Sequence, residues 1–495
     1  MLCVTIGRTR HKSTIQDFHE LAEQGAQLVE LRLDFIAKPV DLKRLLASRP
    51  CPVVITCRRR EDGGRWERTE EERQMLLRSA IASGVDYVDL EEDIAERIPR
   101  YGKTKRIVSL HNFEETPADL DGVHARISAL DADIVKIAAL ANSFTDTIRM
   151  LRLMASVKVP TVGICMGDIG MVTRILALRY GAPFTYTTSG ADRRIAPGQI
   201  TWQAMRDQYR AASINEKTKL YGVVADPVAH SLSPLLHNTS FAAHKLDNCY
   251  LPFRIPPDEL GLFMAWCRES NLQGLSVTIP HKEAMLAYIQ QAEAAVNGIG
   301  ALNTVVFRDG EALGYNTDYR AAMDSIMERI ATEEQGAEAL RGRGVLVLGA
   351  GGAARAIAFG LRQRGALVAI TSRTQPRADA LAREVGGRAL PWNSRYDIKP
   401  GILVNATPIG MHPDVDDTPY AKEKLKDSLL VFDTVYNPEQ TLLIKNAREV
   451  GCQVITGVEM FVRQAAYQYK LFTGLAADNE LLRKTLKAAT SPVNF

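Results

Sequence analysis

The 495-residue sequence has few cysteines, little net charge and no long hydrophobic run. Its seven cysteines are odd in number and include no CxxC pair, so they indicate neither a disulfide framework nor a zinc site. The 61 basic and 58 acidic side chains leave a net charge of +3, which gives no basis for predicting a nucleic-acid or membrane-surface partner. No apolar run is long enough to cross a bilayer, and the first predicted strand begins at Leu2, which leaves no room for a signal peptide. We therefore expect a cytoplasmic protein.

The composition is that of ordinary globular domains, with 46% hydrophobic and 24% charged residues. A chain of this length is too long for a single core, and we expect two to four domains.

Residues 1 to about 212 alternate apolar, β-branched runs with helical stretches. The predicted strands comprise residues 2–7, 28–34, 53–58, 87–91, 106–111, 134–138, 161–166 and 184–189. Eight strands in a segment of this size fit a small (β/α)8 TIM barrel, and the alternative is an open doubly wound sheet. The barrel is favoured because polar side chains gather at the predicted C-terminal strand ends, where a barrel builds its site. These side chains are Glu30, Arg32, Arg58, His111, Lys136 and Arg174.

Lys136 lies inside the apolar strand sequence DIVKIA. A lysine that faces a barrel interior beside arginines is disfavoured as the ammonium ion, and its neutral amine can attack a carbonyl. A lone lysine in a strand more often faces outward. Here, however, His111 can act as an acid or base, and Arg32, Arg58 and Arg174 can hold a carboxylate. We therefore predict a lyase site that forms an imine on Lys136.

The second half begins after a polar stretch, residues 212–219, which we interpret as a linker. An α/β region follows over residues 220–330. Its predicted strands are residues 221–225, 250–254, 275–278 and 304–307. Polar residues 331–344 lead to a nucleotide-binding unit that extends to about residue 457. The amphipathic stretch 460–471 is predicted to be a helix that packs back on the preceding domain.

The segment GVLVLGAGGAAR, which begins at Gly344, runs from an apolar strand through a glycine turn into a helix. Gly349 and Gly351 permit the tight turn and a close approach of the backbone to a pyrophosphate. Gly352 and Ala353 open a helix whose N-terminal amides favour negative charge. This arrangement predicts a dinucleotide site.

The end of the next predicted strand, residues 366–371, indicates which dinucleotide binds. Ser372, Arg373 and Thr374 stand where an acidic residue would bind a ribose 2′-hydroxyl, and Arg377 follows them. Because arginine suits a 2′-phosphate, the sequence predicts NADP.

Hydroxyl, amide and charged groups cluster at predicted turns of residues 220–330. They are Ser231, Ser233, Thr278, Lys282, Asn303, Thr317 and Asp318. Helix capping and turn chemistry explain any one of them, whereas the set beside a nucleotide fold suits a small polyol acid. Lys282 and Asp318 are able to relay a proton when a hydride is transferred.

The first half resembles type I 3-dehydroquinate dehydratase over nearly all of residues 1–205. The matching motifs are ELRLD at Glu30, TCR at Thr56, SLHNF at Ser109, VKIA at Val135, MGxxGxxxR at residues 166–174 and APGQ at Ala196. The resemblance implies a Schiff base on Lys136 and His111 as the general acid/base. It also implies substrate contacts from Glu30, Arg32, Arg58, Arg174 and Gln199. Two positions depart from the family: Ile195 precedes APGQ in place of Ser or Thr, and Asp62 replaces the Glu before the glycine pair.

Residues 220 to about 488 resemble shikimate dehydrogenase. The matching motifs are SLSP, SVTIPHK, GALNT, GYNTD, GAGGAAR, NATPIGM, DTVYNP and GVEMFVRQA. The resemblance implies catalytic roles for Lys282 and Asp318. The implied shikimate contacts are Ser231, Ser233, Thr278, Asn303, Asp318, Tyr436 and Gln464. The implied NADP contacts are Gly351, Gly352, Arg373, Thr407, Met411 and Gly457. Ser276 and Ser372 depart from the asparagines that the family usually has there.

The two resemblances imply consecutive reactions, in which 3-dehydroquinate is dehydrated to 3-dehydroshikimate and NADPH reduces that product to shikimate. The predicted domains are a dehydratase barrel (1–212), a shikimate-binding domain (220–330, completed by helices in 460–490) and a Rossmann NADP-binding domain (340–459). Neither step needs a metal. The alternatives are a quinate-preferring dehydrogenase and a non-catalytic metabolite sensor, and the reactive groups of Lys136, His111, Lys282 and Asp318 argue against the sensor. The oligomeric state and direct transfer of the intermediate between sites stay open.

Overall fold

The computed structural model of the protein describes residues 1–193, 196–229, 231–331 and 336–490. They divide into two units. The first consists of residues 1–219 and 247–266, and the second of residues 220–246 and the chain from residue 267 onward. None of the described helices is long and apolar enough to span a membrane.

Eight parallel strands form the frame of the first unit. They are β1 (Leu2–Ile6), β2 (Leu28–Arg32), β3 (Val53–Thr56), β4 (Tyr87–Glu91), β5 (Lys105–Asn112), β6 (Ile134–Leu140), β7 (Thr161–Met166) and β8 (Thr185–Thr188). They follow the order β7-β6-β5-β4-β3-β2-β1-β8. Because β1 pairs with both β2 and β8, the sheet curls into a nearly closed barrel. This arrangement confirms the predicted barrel over the open sheet.

Helices alternate with these strands. They are α1 (His11–Glu23), α2 (Leu42–Leu46), α3 (Glu70–Ala82), α4 (Leu120–Ser128), α5 (Phe144–Ser156) and α6 (Met171–Leu176). Two of them begin with capping boxes: Thr69 exchanges hydrogen bonds with Glu72 at α3, and Ser143 does so with Asp146 at α5. Apolar side chains of the strands, including Cys3, fill the barrel interior below the site.

The next segment contains the strands β9 (Lys219–Ala225), β10 (Asn248–Arg254), β11 (Leu272–Val277), β12 (Gln291–Ala292), β13 (Thr304–Arg308) and β14 (Glu311–Tyr315). Its helices are α7 (Ser233–Ala243), α8 (Leu260–Glu269), α9 (Ala294–Ile299) and α10 (Thr317–Ile330). Five of the strands lie in the order β9-β11-β13-β14-β12. β11 runs parallel to β9 and antiparallel to β13. The sequence analysis had not predicted β12 and β14.

Residues 247–266 belong to the first unit, where aromatic side chains hold them. The ring of Phe144, the first residue of α5, lies edge-on to Phe263 and Trp266 with centroids 5.3 Å away from each. The backbone N–H of Phe144 donates to the Glu259 carboxylate at 2.9 Å. An acidic group at a helix N-terminus is favourable, so this contact also stabilises the start of α5.

The last part of the chain is a parallel sheet with helices. Its strands are β15 (Gly344–Leu348), β16 (Leu367–Thr371), β17 (Arg388–Leu390), β18 (Ile402–Asn405), β19 (Leu430–Asp433) and β20 (Gln453–Ile455). Its helices are α11 (Gly352–Gln363), α12 (Gln375–Val385), α13 (Leu442–Val450), α14 (Gly457–Thr473) and α15 (Asn479–Thr490). The order β17-β16-β15-β18-β19-β20 is that of a Rossmann fold.

Strand β15 is buried on both faces. Val345 and Val347 pack into one apolar cluster, and Leu346 and Leu348 into another. The strand order reverses at β15, which is where such sheets bind dinucleotides. The glycine turn predicted from the sequence follows β15 directly.

Candidate active sites

One cavity of the barrel is lined by all seven residues that the sequence analysis proposed for the first site. They are Glu30, Arg32, Arg58, His111, Lys136, Arg174 and Gln199. Glu30, Arg32, His111 and Lys136 lie on strands, and Arg58 follows β3. The prediction that Arg174 lies at a strand end was wrong, because it lies in α6 and reaches the cavity from that helix.

Lys136 is buried, and its ammonium is held by groups on two sides. Its Nζ donates to Asp89 Oδ2 at 2.9 Å. The same atom lies 4.4 Å from the centroid of the Tyr186 ring, a cation–π contact. Lys136 is therefore fixed in place before any substrate arrives.

Asp89 and Glu91 hold predicted site residues in place, and the sequence analysis missed both. Asp89 pairs with Arg58 at 2.7 Å and accepts from the Ser109 hydroxyl at 2.6 Å, and Glu91 pairs with Arg58 at 2.7 Å. Burial opposes ionisation of Asp89, but the charges of Arg58 and Lys136 outweigh it and lower the pKa of Asp89. Two acids at positions i and i+2 of an apolar strand share one face, and that spacing was the signal available in the sequence.

His111 lies beside Lys136 in the cavity wall and stacks on Phe113, with ring centroids 6.4 Å apart. Burial, reinforced by the positive charges of Arg58 and Lys136, holds the pKa of His111 well below its usual range. Its Nδ1 has no hydrogen-bond partner among the described residues. The imidazole is thus neutral at physiological pH and suited to accept a proton.

The remaining lining residues surround the cavity with polar groups. Glu30 accepts from the hydroxyls of Thr5 and Thr56 at 2.8 and 2.7 Å, which fixes its carboxylate. The Arg174 guanidinium is buried, and burial lowers its pKa to about 10. Its Nε has no hydrogen-bond partner among the described residues. A buried cation with an unused donor suits an anionic ligand.

Arg32 has a partner of its own, since Asp34 accepts from it in bidentate geometry at 2.9 and 2.8 Å. Gln199 lines the same cavity and is buried. Of the two departures from the family pattern, Asp62 lines the cavity and pairs with Arg59 at 2.7 Å. Ile195 lies outside the described residues.

In the second unit, Lys282 and Asp318 form an ion pair, as expected of a proton relay. Lys282 follows β11, and Asp318 lies in the first turn of α10. Asn303 fixes the start of α10, because its amide accepts from the Thr317 N–H and donates to the Thr317 hydroxyl at 2.8 and 2.9 Å.

The glycine turn lies against Lys282. A Cβ added at Gly352 would meet Lys282 Cδ at 2.8 Å. A Cβ at Gly349, where φ is +113°, would lie 2.6 Å from the carbonyl oxygen of Ala406, whereas one at Gly351 would meet nothing within 4 Å. No side chain caps the N-terminus of α11. The open space at Gly351 and the uncapped amides fit a dinucleotide pyrophosphate.

The residues predicted to bind the 2′-phosphate of NADP follow β16. Arg373, Thr374 and Arg377 are exposed there and are accessible to a ligand. The Ser372 hydroxyl accepts from the Thr374 N–H at 3.2 Å, so this departure from asparagine serves the turn itself. Ala353 lies in the first turn of α11.

Three other predicted cofactor contacts lie beyond β18. Thr407 follows that strand, Met411 is exposed, and Gly457 begins α14. A Cβ at Gly457 would lie 2.2 Å from the Val435 carbonyl oxygen, so only glycine fits there.

Predicted substrate residues from distant segments meet around α14. The Tyr436 ring stacks on Phe461 with centroids 4.1 Å apart, and Gln464 donates to the Phe461 carbonyl oxygen at 3.1 Å. Leu232, which lies between Ser231 and Ser233, packs against the same apolar cluster as Tyr436 and Phe461. Ser233 is the first residue of α7.

Ser276, whose departure from asparagine the sequence did not explain, supports Asn303. Its hydroxyl donates to Gln468 Oε1 at 2.8 Å, and Gln468 Nε2 donates to the Asn303 carbonyl oxygen at 3.1 Å. Thr278 lies next to this network, because the preceding Val277 N–H donates to the same Asn303 carbonyl.

Comparisons with known families match segments in both halves of the chain. Residues 2–216 match the model of type I 3-dehydroquinase. Residues 223–305 match the shikimate dehydrogenase substrate binding domain, and residues 457–487 match the shikimate 5'-dehydrogenase C-terminal domain.

Among relatives, the chain is 38% identical to the bifunctional 3-dehydroquinate dehydratase/shikimate dehydrogenase, chloroplastic, of Arabidopsis thaliana, over 97% of this chain and 83% of that protein. It is 40% identical to the shikimate dehydrogenase (NADP(+)) of Methanosarcina acetivorans, over 55% of this chain and 98% of that protein. The crystal structure of Thermus thermophilus shikimate 5-dehydrogenase in complex with NADP(H) and shikimate matches with a TM-score of 0.50 and 34% identity, over 55% of this chain and 99% of that one.

Proposed function

This chain belongs to the family of bifunctional 3-dehydroquinate dehydratase/shikimate dehydrogenases, and from that premise we propose how its residues divide the two reactions. The protein is a lyase and an oxidoreductase of the shikimate pathway. It dehydrates 3-dehydroquinate to 3-dehydroshikimate and reduces that product to shikimate with NADPH.

Residues 1–212 are assigned to the dehydratase domain. Residues 220–330, completed by helices within 460–490, bind shikimate, and residues 340–459 bind NADP. The matched family segments support this division.

In the first reaction the Lys136 ammonium gives a proton to His111, and its amine then adds to the ketone. His111 returns that proton to the ketone oxygen, which leaves as water when the imine forms. The imine acidifies the adjacent carbon. His111, kept neutral by burial, removes a proton from that carbon and returns it to the departing hydroxyl, which leaves as water. A water molecule then hydrolyses the imine and releases product and lysine. Arg174 and Gln199 hold the substrate. Glu30 orients either the substrate or the His111 ring.

In the second reaction bound NADPH supplies a hydride to the ketone carbon. Lys282 donates a proton to the ketone oxygen, and Asp318 holds Lys282 in position through their ion pair. The serines of SLSP, with Thr278, Asn303, Tyr436 and Gln464, bind the ring hydroxyls and carboxylate. The turn Gly349–Gly352 binds the pyrophosphate, and Arg373 and Arg377 bind the 2′-phosphate.

The observation that carries this proposal is the convergence of the seven predicted residues on the cavity that contains Lys136. The purified protein is tested with 3-dehydroquinate while ultraviolet absorbance is recorded. We expect an enone to appear with protein alone and to be consumed after NADPH is added. Absence of the enone would contradict the first assignment, and an enone that persists with NADPH would contradict the second. Oxidation of shikimate compared with quinate in the presence of NADP+ tests substrate preference, and we expect shikimate to react faster.

We also place the protein in the cytoplasm. The seven cysteines are unpaired and six of them are buried, which suits a reducing compartment. The proposed ligands are the small-molecule substrates and NADP, without a nucleic acid or membrane partner. Fractionation that recovered the protein in an oxidising compartment would contradict the placement.

A further inference from the structure

Asp433 is a buried carboxylate that joins two loops of the second unit. It ends β19 directly beside Asn405, which ends β18. Its Oδ1 accepts from Asn405 Nδ2 at 2.9 Å and from the Val435 N–H at 3.0 Å. Its Oδ2 accepts from the Thr441 hydroxyl at 2.6 Å. One side chain thus connects the loop after β18 to the loop after β19.

The first connection sets the orientation of an amide. Because Asp433 holds the NH2 group of Asn405, the amide oxygen faces Thr407. It accepts there from the Thr407 N–H at 3.1 Å and from the Thr407 hydroxyl at 2.7 Å. Thr407 is one of the proposed NADP contacts. Without the carboxylate the Asn405 NH2 group keeps only its longer bond to the Ile409 carbonyl oxygen, at 3.3 Å, so the amide and Thr407 are held less firmly.

The second connection holds the loop that carries Tyr436. Val435 precedes Tyr436, and its carbonyl oxygen packs against Gly457 so closely that no Cβ fits there. Thr441 caps α13 by accepting from the Ile444 N–H at 3.2 Å while it donates to Asp433. A shift of this loop would therefore displace both Tyr436, a proposed shikimate contact, and Gly457, a proposed cofactor contact.

Asp433 is buried among uncharged donors, so the stability of its carboxylate depends on its hydrogen bonds. The side chain has no exposed surface, and burial raises its pKa to about 6, so that it is mainly ionised at neutral pH. Its three hydrogen-bond donors are an amide, a backbone N–H and a hydroxyl, and none of them carries a charge. A carboxylate buried among neutral donors is costly unless every bond is kept, which ties its position to both loops.

We propose that Asp433 is a positioning residue for the reduction, which sets Thr407 for the cofactor through Asn405 and sets Tyr436 for shikimate through Val435 and Thr441. The proposal rests on the proposed function of the second site. It assigns Asp433 no contact with substrate or cofactor.

The test compares Asp433→Ala with Asp433→Asn in the full chain. The measurements are the Kd of NADPH by fluorescence titration and the KM of shikimate. Asp433→Ala removes all three acceptor contacts, and we expect both constants to rise about tenfold. Asp433→Asn keeps the bonds to Asn405 and Val435, and the Thr441 hydroxyl can accept from its amide, so we expect changes below about threefold. Dehydratase activity of the same molecules is the internal control and should not change.

Substitution of Thr441 separates the two connections. Thr441→Val breaks only the bond to Oδ2 and the helix cap, so the KM of shikimate should rise more than the Kd of NADPH. Thr441→Ser keeps both bonds and is the matched control. If Asp433→Ala fails to fold, the proposal is tested with Asp433→Asn and with the comparison of Thr441→Val and Thr441→Ser.

Wild-type Kd and KM values in Asp433→Ala, within twofold, would overturn the proposal. Equal losses in Asp433→Ala and Asp433→Asn would also overturn it, because charge rather than hydrogen-bond geometry would then govern the site. Failure of the proposed function is a separate outcome, since it would appear as wild-type protein that does not reduce 3-dehydroshikimate with NADPH.

Discussion

The two candidate active sites differ in how their proposed reacting lysines are held. Lys136 belongs to a buried network in which Asp89, Arg58, Glu91 and Arg73 alternate in charge, with side-chain exposures of 7% or less. Among the described residues Lys282 pairs with one carboxylate, that of Asp318, and both side chains are more exposed, at 14% and 9%. Both lysines are proposed to react, and only the first is proposed to become covalently attached to its substrate.

The difference follows from what each reaction must stabilise. A covalent imine needs a nucleophile fixed in advance and a neutral base beside it, and a rigid charge network supplies both. In the reduction, the proton donor Lys282 acts only when the cofactor is bound as well as the ketone. One ion pair beside the nucleotide turn is therefore sufficient to hold it. Variants of each site sharpen this contrast.

The largest effect is expected for Lys136→Ala, which should lower dehydration by at least about ten-thousandfold because the nucleophile is lost. Reduction of 3-dehydroshikimate should stay at the wild-type rate. Borohydride added with 3-dehydroquinate should attach the ligand to Lys136 of the wild-type protein, as peptide mapping would show. Labelling at another residue, or undiminished dehydration in the variant, would rule out the assignment.

Lys282→Ala should lower the reduction of 3-dehydroshikimate by about a hundredfold to ten-thousandfold, since the developing alkoxide loses its proton donor. Dehydration should persist, so 3-dehydroshikimate should accumulate even with NADPH present. Both species can be followed by chromatography. A folded Lys282→Ala protein that no longer dehydrates 3-dehydroquinate would refute the separation of the two sites.

Asp89→Asn should lower the free energy of unfolding by about 3 to 5 kcal/mol, because it leaves buried cations without their shared partner. Asp318→Asn, the matched change at the more exposed pair, should cost about 1 to 2 kcal/mol. Urea unfolding followed by circular dichroism measures both, and equal losses would contradict the contrast between the sites. The pKa of Asp89 is lowered in the folded state, so the stability it contributes is present above about pH 4 and is lost as the pH falls further.

Arg373→Ala should weaken NADPH binding about tenfold to a hundredfold by removing a charge-assisted contact to the 2′-phosphate. NADH, which lacks that phosphate, should bind almost as before. Titration of each cofactor measures the difference. If both cofactors lose affinity equally, Arg373 acts through folding and not through the phosphate.

The strands of the barrel were predictable because each is an apolar, β-branched run bounded by polar residues. β4 and β7 have the predicted bounds, and the other six differ from them by at most two residues at either end. Strands β12 and β14 were missed for the opposite reason. β12 has only two residues, and β14 contains a glutamate and a glycine that weaken its strand pattern.

The proposed reacting groups of both sites come from motifs, and Asp318, the partner of Lys282, came from the same interpretation. The partner of Lys136 was not predicted. Lys136 stands out as a charge in an apolar strand, but its pairing with Asp89 depends on strand β5, which pairs with β4 on one side and with β6 on the other. The role of Asp433 was hidden for a similar reason, since its three donors come from residues 405, 435 and 441 and meet only in the folded sheet.

The close approach of Gly352 to Lys282 limits how the parts of this reductase can be exchanged, whether by evolution or in a designed chimera. The proton donor comes from the segment before residue 330, and the glycine comes from the coenzyme-binding segment. A coenzyme-binding segment transplanted from another dehydrogenase must also bring a residue without a side chain at this position, or the lysine will be pushed aside. The two segments are separate in sequence, but they have to be inherited as a matched pair.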